Sequence, residues 1–173
     1  AAAGGGGGRG GAQTPEQVAF AESVRKWRTS VSMDKFKALR KMYNDAGVTI
    51  YAYKPDGLQK NLQTSDAEWD YAFGAAAALG ATHITMELPS GPDAEALMKK
   101  VATFAEKHKV YAGYHTHAQG SLTAFDQALA ISKANMCAVD LGHFVAAGSP
   151  GGTPVQLLQK YHDRTLSFHI KDR

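Results

Sequence analysis

The sequence predicts an α/β fold with a parallel, barrel-type sheet of about five strands. Three observations carry this. Short apolar runs alternate with amphipathic stretches at roughly 30 residues, the size of a βα unit. Each run stops at ionisable residues, as buried parallel strands do where their carboxyl ends meet a ligand site. Alternation of this kind implies right-handed crossovers and a parallel sheet. A closed eight-stranded barrel typically needs about 250 residues, and this chain has 173. It stops soon after the last predicted strand. The expectation is therefore a barrel fragment, with a small open sheet as the alternative.

Residues 1–13 (AAAGGGGGRGGAQ) are Gly-rich and read as a flexible tail. Residues 14–173 read as one domain, because 44% hydrophobic residues in 173 support one core better than two. Thr14, Pro15 and Gln17 make an N-cap, a first helical residue and a capping-box partner for a helix to about residue 28. A second helix from near Ser32 is expected to bury Phe36, Leu39 and Tyr43 and to end at Gly47. A strand over 48–53 follows. Ser65 and Glu68 form another capping box, opening an alanine-rich helix to Gly80 whose small residues suit close packing on a sheet. The remaining strands are expected at 82–87, 110–115, 136–140 and 165–170. Helices over 92–108, 123–133 and from Thr153-Pro154 to about 161 lie between them. Leu97, Val101, Phe104 and Ala105 share one face of the first of these. Trp27 and Trp69 are expected to pack; His83 and His108 read as structural or exposed.

The net charge of +3 comes without a basic run, which argues against nucleic acid or a membrane surface as partner. No apolar run approaches the ~20 residues of a membrane span. No signal peptide is visible, so a cytoplasmic location is expected, although the chain does not begin with Met. Cys137, the one cysteine, lies in an apolar run and reads as inert core.

Polar residues gather at the predicted strand ends: Lys54; Glu87; His115 and His117; Asp140 with His143 on the loop beyond; and His169 with Lys171 and Asp172. Carboxylates and imidazoles together suit one divalent ion, Mn²⁺, Co²⁺, Mg²⁺ or Zn²⁺. Asp140 ends an apolar run, where an unpartnered charge would be costly. It could equally cap a loop or helix. His115 and His117 lie two apart and share a face if the strand is regular. The segment Gly148-Ser-Pro-Gly-Gly152 before Thr153 is a phosphate-loop candidate.

Three motifs in order, Tyr-His-Thr-His (114–117), Asp-Leu-Gly-His…Ala-Gly (140–148) and Phe-His-Ile-Lys-Asp-Arg (168–173), resemble the xylose isomerase-like TIM barrel superfamily. The sugar phosphate isomerase/epimerase group is the nearest match. The resemblance covers roughly residues 33–173, as the third to seventh barrel strands. It implies a metal-dependent isomerase or epimerase of a sugar, sugar phosphate or polyol, working by proton transfer through an enediolate. It also implies that Asp140 and His169 are metal ligands and that His143 contacts a substrate hydroxyl; Lys171 is a further substrate-binding candidate, or a surface pair with Asp172. Where many members carry a proton-transferring, metal-binding Glu on the fifth strand, this chain offers His115 and His117, with Glu87 one strand earlier as a substitute carboxylate. Glu87, His115 and His117 are thus the expected catalytic groups, and Glu87 and His115 also candidate ligands. The family's last ligand, a Glu on the eighth strand, falls beyond Arg173. Other readings on the same scaffold are a keto-sugar or inosose dehydratase or lyase, an endonuclease IV-like phosphodiesterase, and a catalytically incomplete fragment. Homo-oligomerisation is left open.

Overall fold

A computed structural model of the chain describes residues 14–56, 58, 60–117 and 119–171. The expected tail at 1–13 and the candidate Asp172 lie outside them. The chain divides at Val31/Ser32 into two compact units. The first holds α1 (Pro15–Ser30), opened by the predicted Thr14–Gln17 capping box. None of its residues is buried. Trp27, expected to pack, is 48% exposed.

The second unit begins with α2 (Asp34–Asp45) and β1 (Ala52–Tyr53). Then α3 (Asp66–Leu79), β2 (His83–Glu87), α4 (Ala94–His108), β3 (Tyr111–His115) and α5 (Asp126–Ile131) alternate. β4 (Asn135–Asp140), α6 (Leu141–Ala146), α7 (Pro154–Tyr161) and β5 (Thr165–His169) complete it. Among the described residues the five strands form one sheet in the order β1-β2-β3-β4-β5. Every pairing is parallel, as expected from the βα alternation. No helix among the described residues is long and apolar enough to cross a membrane.

Helix α3 packs on β2, α4 on β3 and β4, and α5 on β4. The alanines work as the sequence suggests: Ala72, Ala75 and Ala76 are fully buried, beside Trp69 and Phe73. Ser65 and Glu68 make the expected capping box, and Gly80 closes α3 in the left-handed conformation. On α4 the predicted stripe of Leu97, Val101, Phe104 and Ala105 is buried. His83 is fully buried, with Nδ1 2.9 Å from the Thr82 hydroxyl; burial favours its neutral form. His108 reaches Asp70 of α3 at 2.7 Å, a helix-to-helix tie. Burial pushes the Cys137 thiol up to about 12, so it stays protonated and unreactive, as its apolar run suggests.

Four expectations are corrected. α2 buries none of its residues: Leu39 and Tyr43 are each 40% exposed. Phe36 meets Tyr71 of α3 edge-on at 6.0 Å between ring centres. An apolar stripe shows which face seeks cover, and within this unit α3 covers only its edge. β1 is two residues long rather than six, although Thr82 N–H still bonds the Tyr51 carbonyl. The predicted helix over 123–133 shrinks to Asp126–Ile131, because residues 122–125 are in turns and the Leu122 N–H is tied to the Pro150 carbonyl. Finally, the segment after β4 is helix α6, not a loop. Asp140 is its N-cap and accepts a 2.8 Å hydrogen bond from the His143 N–H.

Candidate metal centre and active site

The sheet register lines up the polar strand ends. Glu87 on β2 stands opposite His115 on β3, and Asp140 on β4 stands opposite His169 on β5. All are last residues of their strands, where α/β barrels place their chemistry.

Asp140 is the hub and is fully buried. Its Oδ2 lies 3.3 Å from His169 Nδ1, 3.7 Å from His143 Nε2 and 3.8 Å from His115 Nε2. The same oxygen accepts a hydrogen bond from the Lys171 ammonium. Burial alone would raise the Asp140 carboxyl. The hydrogen bonds from Lys171 and from the His143 N–H, with the charges of both side chains, outweigh it and hold the group below the usual carboxylate range. Asp140 is therefore ionised near neutrality. Gly142 lets Lys171 come this close: a Cβ there would sit 2.7 Å from the Lys171 Cβ.

His115 is buried, and its Nδ1 has no hydrogen-bond partner among the described residues. Burial is the main influence lowering its proton affinity, only partly offset by Glu87 and Asp140. The neutral ring is thereby favoured, the form that ligates a metal. His117 lies just past the strand, its ring 4.7 Å from that of His115 and 4.3 Å from that of His143. Its Nδ1 is 2.7 Å from Glu87 Oε2. Both side chains are about half exposed.

These groups edge a cleft of about 260 Å³ lined by Tyr51, Lys54, Met86, Glu87, His115, Ser167 and His169 among others. Lys54 is 61% exposed and lies 3.9 Å from Asp56. The structure thus brings Glu87, His115, His117, Asp140, His143, His169 and Lys171 to one end of the sheet. Two groups of donors are compact enough for an ion, each with its atoms within 4.8 Å of one another: His115, Asp140 and His169; and His115, His117 and His143. Glu87 is in neither and is engaged with His117. Sequence reasoning missed the Lys171–Asp140 contact; it offered a cap by Asp140 only as an alternative to a place in the cluster, and the residue has both. Gly142 was the available signal for the contact, as the small residue between Asp140 and His143. The phosphate-loop candidate at 148–152 leads into α7, whose first N–H groups are served by Thr153 and Gln156 in a capping box.

No protein-family model matches the sequence, and no curated protein does. Solved structures do. A xylose isomerase domain protein from Planctomyces limnophilus superposes with a TM-score of 0.64 at 18% identity, over 85% of this chain and 60% of its own. The chain has the fold of part of a TIM barrel. A sugar phosphate isomerase/epimerase from Parabacteroides distasonis gives a TM-score of 0.60 at 20% identity, over 80% of this chain and 57% of its own. The IolI protein, solved with a bound zinc atom, gives 0.60 at 13% identity, over 86% and 59%. The chain spans less than two thirds of the length of these barrels, and its five strands are part of such a barrel.

The donor set fits a divalent ion. A tetrahedral ion with bonds of about 2.0–2.1 Å has ligand atoms about 3.3 Å apart, close to the 3.3–3.8 Å separations around Asp140 Oδ2. One buried carboxylate with imidazoles is a donor set that could hold a divalent ion rather than a soft one.

Proposed function

We propose that this barrel mouth isomerises or epimerises a small sugar or polyol by proton transfer next to a carbonyl. The observation that carries this reading is the convergence of Asp140, His115 and His169 on one point, with the His117–Glu87 pair at its edge. The resemblance in fold to sugar isomerase-like barrels agrees with it.

Asp140, His169 and His115 would hold one divalent ion, which when bound supplies a Lewis acid that polarises a substrate carbonyl and acidifies the neighbouring C–H. The chain's own groups do the rest. The Glu87 carboxylate, 2.7 Å from His117 Nδ1, favours the proton on that nitrogen and leaves a lone pair on Nε2. His117 Nε2 takes the proton from the carbon next to the carbonyl. The C–H electron pair forms the C=C bond of an enediolate, and the carbonyl oxygen takes the negative charge. Epimerisation follows when a second donor, water on the far side, protonates the opposite face while His117 keeps the first proton; return of the proton from His117 to the former carbonyl carbon, with a proton shifted between the oxygens, isomerises. His143 and Lys171 are placed to contact substrate hydroxyls. Loss of a β-hydroxyl after the same first step would make the enzyme a dehydratase, so proton abstraction is the shared, testable event.

The test is deuterium wash-in. The protein with Mn²⁺ is incubated in D₂O with a panel of ketoses and aldoses, and the α-proton signal is followed by NMR. Exchange into at least one sugar is expected. His117→Gln should slow it by roughly 10²-fold or more, the usual contribution of a positioned acid/base. Exchange in His117→Gln or in Asp140→Asn as fast as in the wild type would reject the reading.

A further inference from the structure

The mouth holds more donors than one ion uses, and they divide by chemistry. The first triad contains the carboxylate of Asp140; the second, His115, His117 and His143, contains imidazoles only. The second is built from separate elements: His115 ends β3, His117 follows in the turn beyond, and His143 sits in the first turn of α6. The three rings are close, with centres 4.7, 4.3 and 5.7 Å apart. The buried Nδ1 of His115 takes no hydrogen bond among the described residues, a cost that a metal bond or a hydrogen bond would remove.

We propose that an ion can occupy either of two positions in this mouth, both using His115, and that the second, made by His115, His117 and His143, accepts Co²⁺ or Zn²⁺ but not Mn²⁺ or Mg²⁺. This rests on the reading of Asp140, His115 and His169 as the first position. Three imidazoles suit borderline ions, which accept a His₃ set, whereas Mn²⁺ and Mg²⁺ favour carboxylate and other oxygen donors. A neutral imidazole has a single ring-nitrogen lone pair, because its other nitrogen carries the proton, so His115 serves one ion at a time. Occupancy is therefore one ion per chain. An ion in the second position ties up His117, so borderline ions there hold the proposed base and suppress proton transfer.

Calorimetric titrations with CoCl₂ and with MnCl₂ test this on the chain, on Asp140→Asn, on His117→Ala and on the double variant. Circular dichroism checks that each is folded. The wild type should bind one equivalent of either ion. Asp140→Asn should lose Mn²⁺ affinity by at least the ~100-fold that removal of an outer partner alone can cost, yet keep one equivalent of Co²⁺. Adding His117→Ala should then remove the Co²⁺ as well, while His117→Ala alone leaves Mn²⁺ binding unchanged. Loss of Co²⁺ together with Mn²⁺ in Asp140→Asn would overturn the second position and leave the first intact. Equal Co²⁺ binding by Asp140→Asn and the double variant would overturn it too. If Asp140→Asn does not fold, His169→Ala, at a half-exposed side chain, takes its place as the variant that empties the first position: it should lose Mn²⁺ and keep one equivalent of Co²⁺, and loss of both ions overturns the second position. A wild type that binds neither ion contradicts the first reading and this one together.

Discussion

Asp140→Asn is expected to abolish the stabilisation that Mn²⁺ gives the wild-type chain. A ligand bound only by the folded state at about 100 times its Kd adds about 2.7 kcal/mol. For a chain of this size that is a rise in Tm of roughly 5–10 °C. Asparagine keeps the N-cap of α6 but replaces a fully buried carboxylate with a neutral amide, a poorer ligand for a hard cation. The substitution also strands the Lys171 ammonium that now bonds Asp140. The variant's own Tm will therefore differ from the wild type's, and the metal-induced shift in each protein is the quantity to compare. Melting scans with and without Mn²⁺ read it directly. A shift in Asp140→Asn equal to that of the wild type would remove Asp140 from the ligand set.

The second large effect lies in the scaffold. Trp69→Ala is expected to cost about 3–5 kcal/mol, the usual range for deleting a buried aromatic. That is a sizeable share of the 5–15 kcal/mol typical of a whole domain. Trp69 is the largest fully buried side chain. It sits on α3, the helix that backs β2 and so positions Glu87. Its Nε1 has no hydrogen-bond partner among the described residues, so Trp69→Phe, which keeps most of the apolar volume, should cost far less, about 1–2 kcal/mol. Urea unfolding of the two variants separates volume from polarity. Similar losses in both would mean that the site tolerates no change of shape; a loss below about 1 kcal/mol in Trp69→Ala would mean that α3 is not the wall it is taken to be.

Much of this was legible in the residues because a buried parallel strand advertises its end. The run Met136 to Val139 stops at a carboxylate, and Tyr111 to Tyr114 stops at an imidazole. The strand order and the meeting of Glu87, His115, Asp140 and His169 at one end follow from that punctuation with right-handed βα geometry. His117 was legible as a neighbour of His115, but its pairing with Glu87 needs the register of β2 against β3. Helix α6 was not legible. It is six residues long, too short for an apolar period, and Asp140 caps it without the Glu or Gln partner that marks a capping box. The exposure of Leu39 and Tyr43 was hidden for another reason: periodicity reports a face and says nothing of what covers it. The Lys171–Asp140 contact joins residues 31 apart in sequence, and only folding shows that Gly142 leaves room for it.

The central claim is that Asp140, His115 and His169 hold a divalent ion. Crystals of the chain grown with Mn²⁺ and measured at the manganese absorption edge test it most directly. The account predicts one anomalous peak within bonding distance, about 2.0–2.3 Å, of Asp140 Oδ2, His169 Nδ1 and a ring nitrogen of His115, with the Lys171 ammonium displaced from the carboxylate. A manganese peak away from Asp140, or an Asp140 still bonded to Lys171 at saturating Mn²⁺, would contradict it.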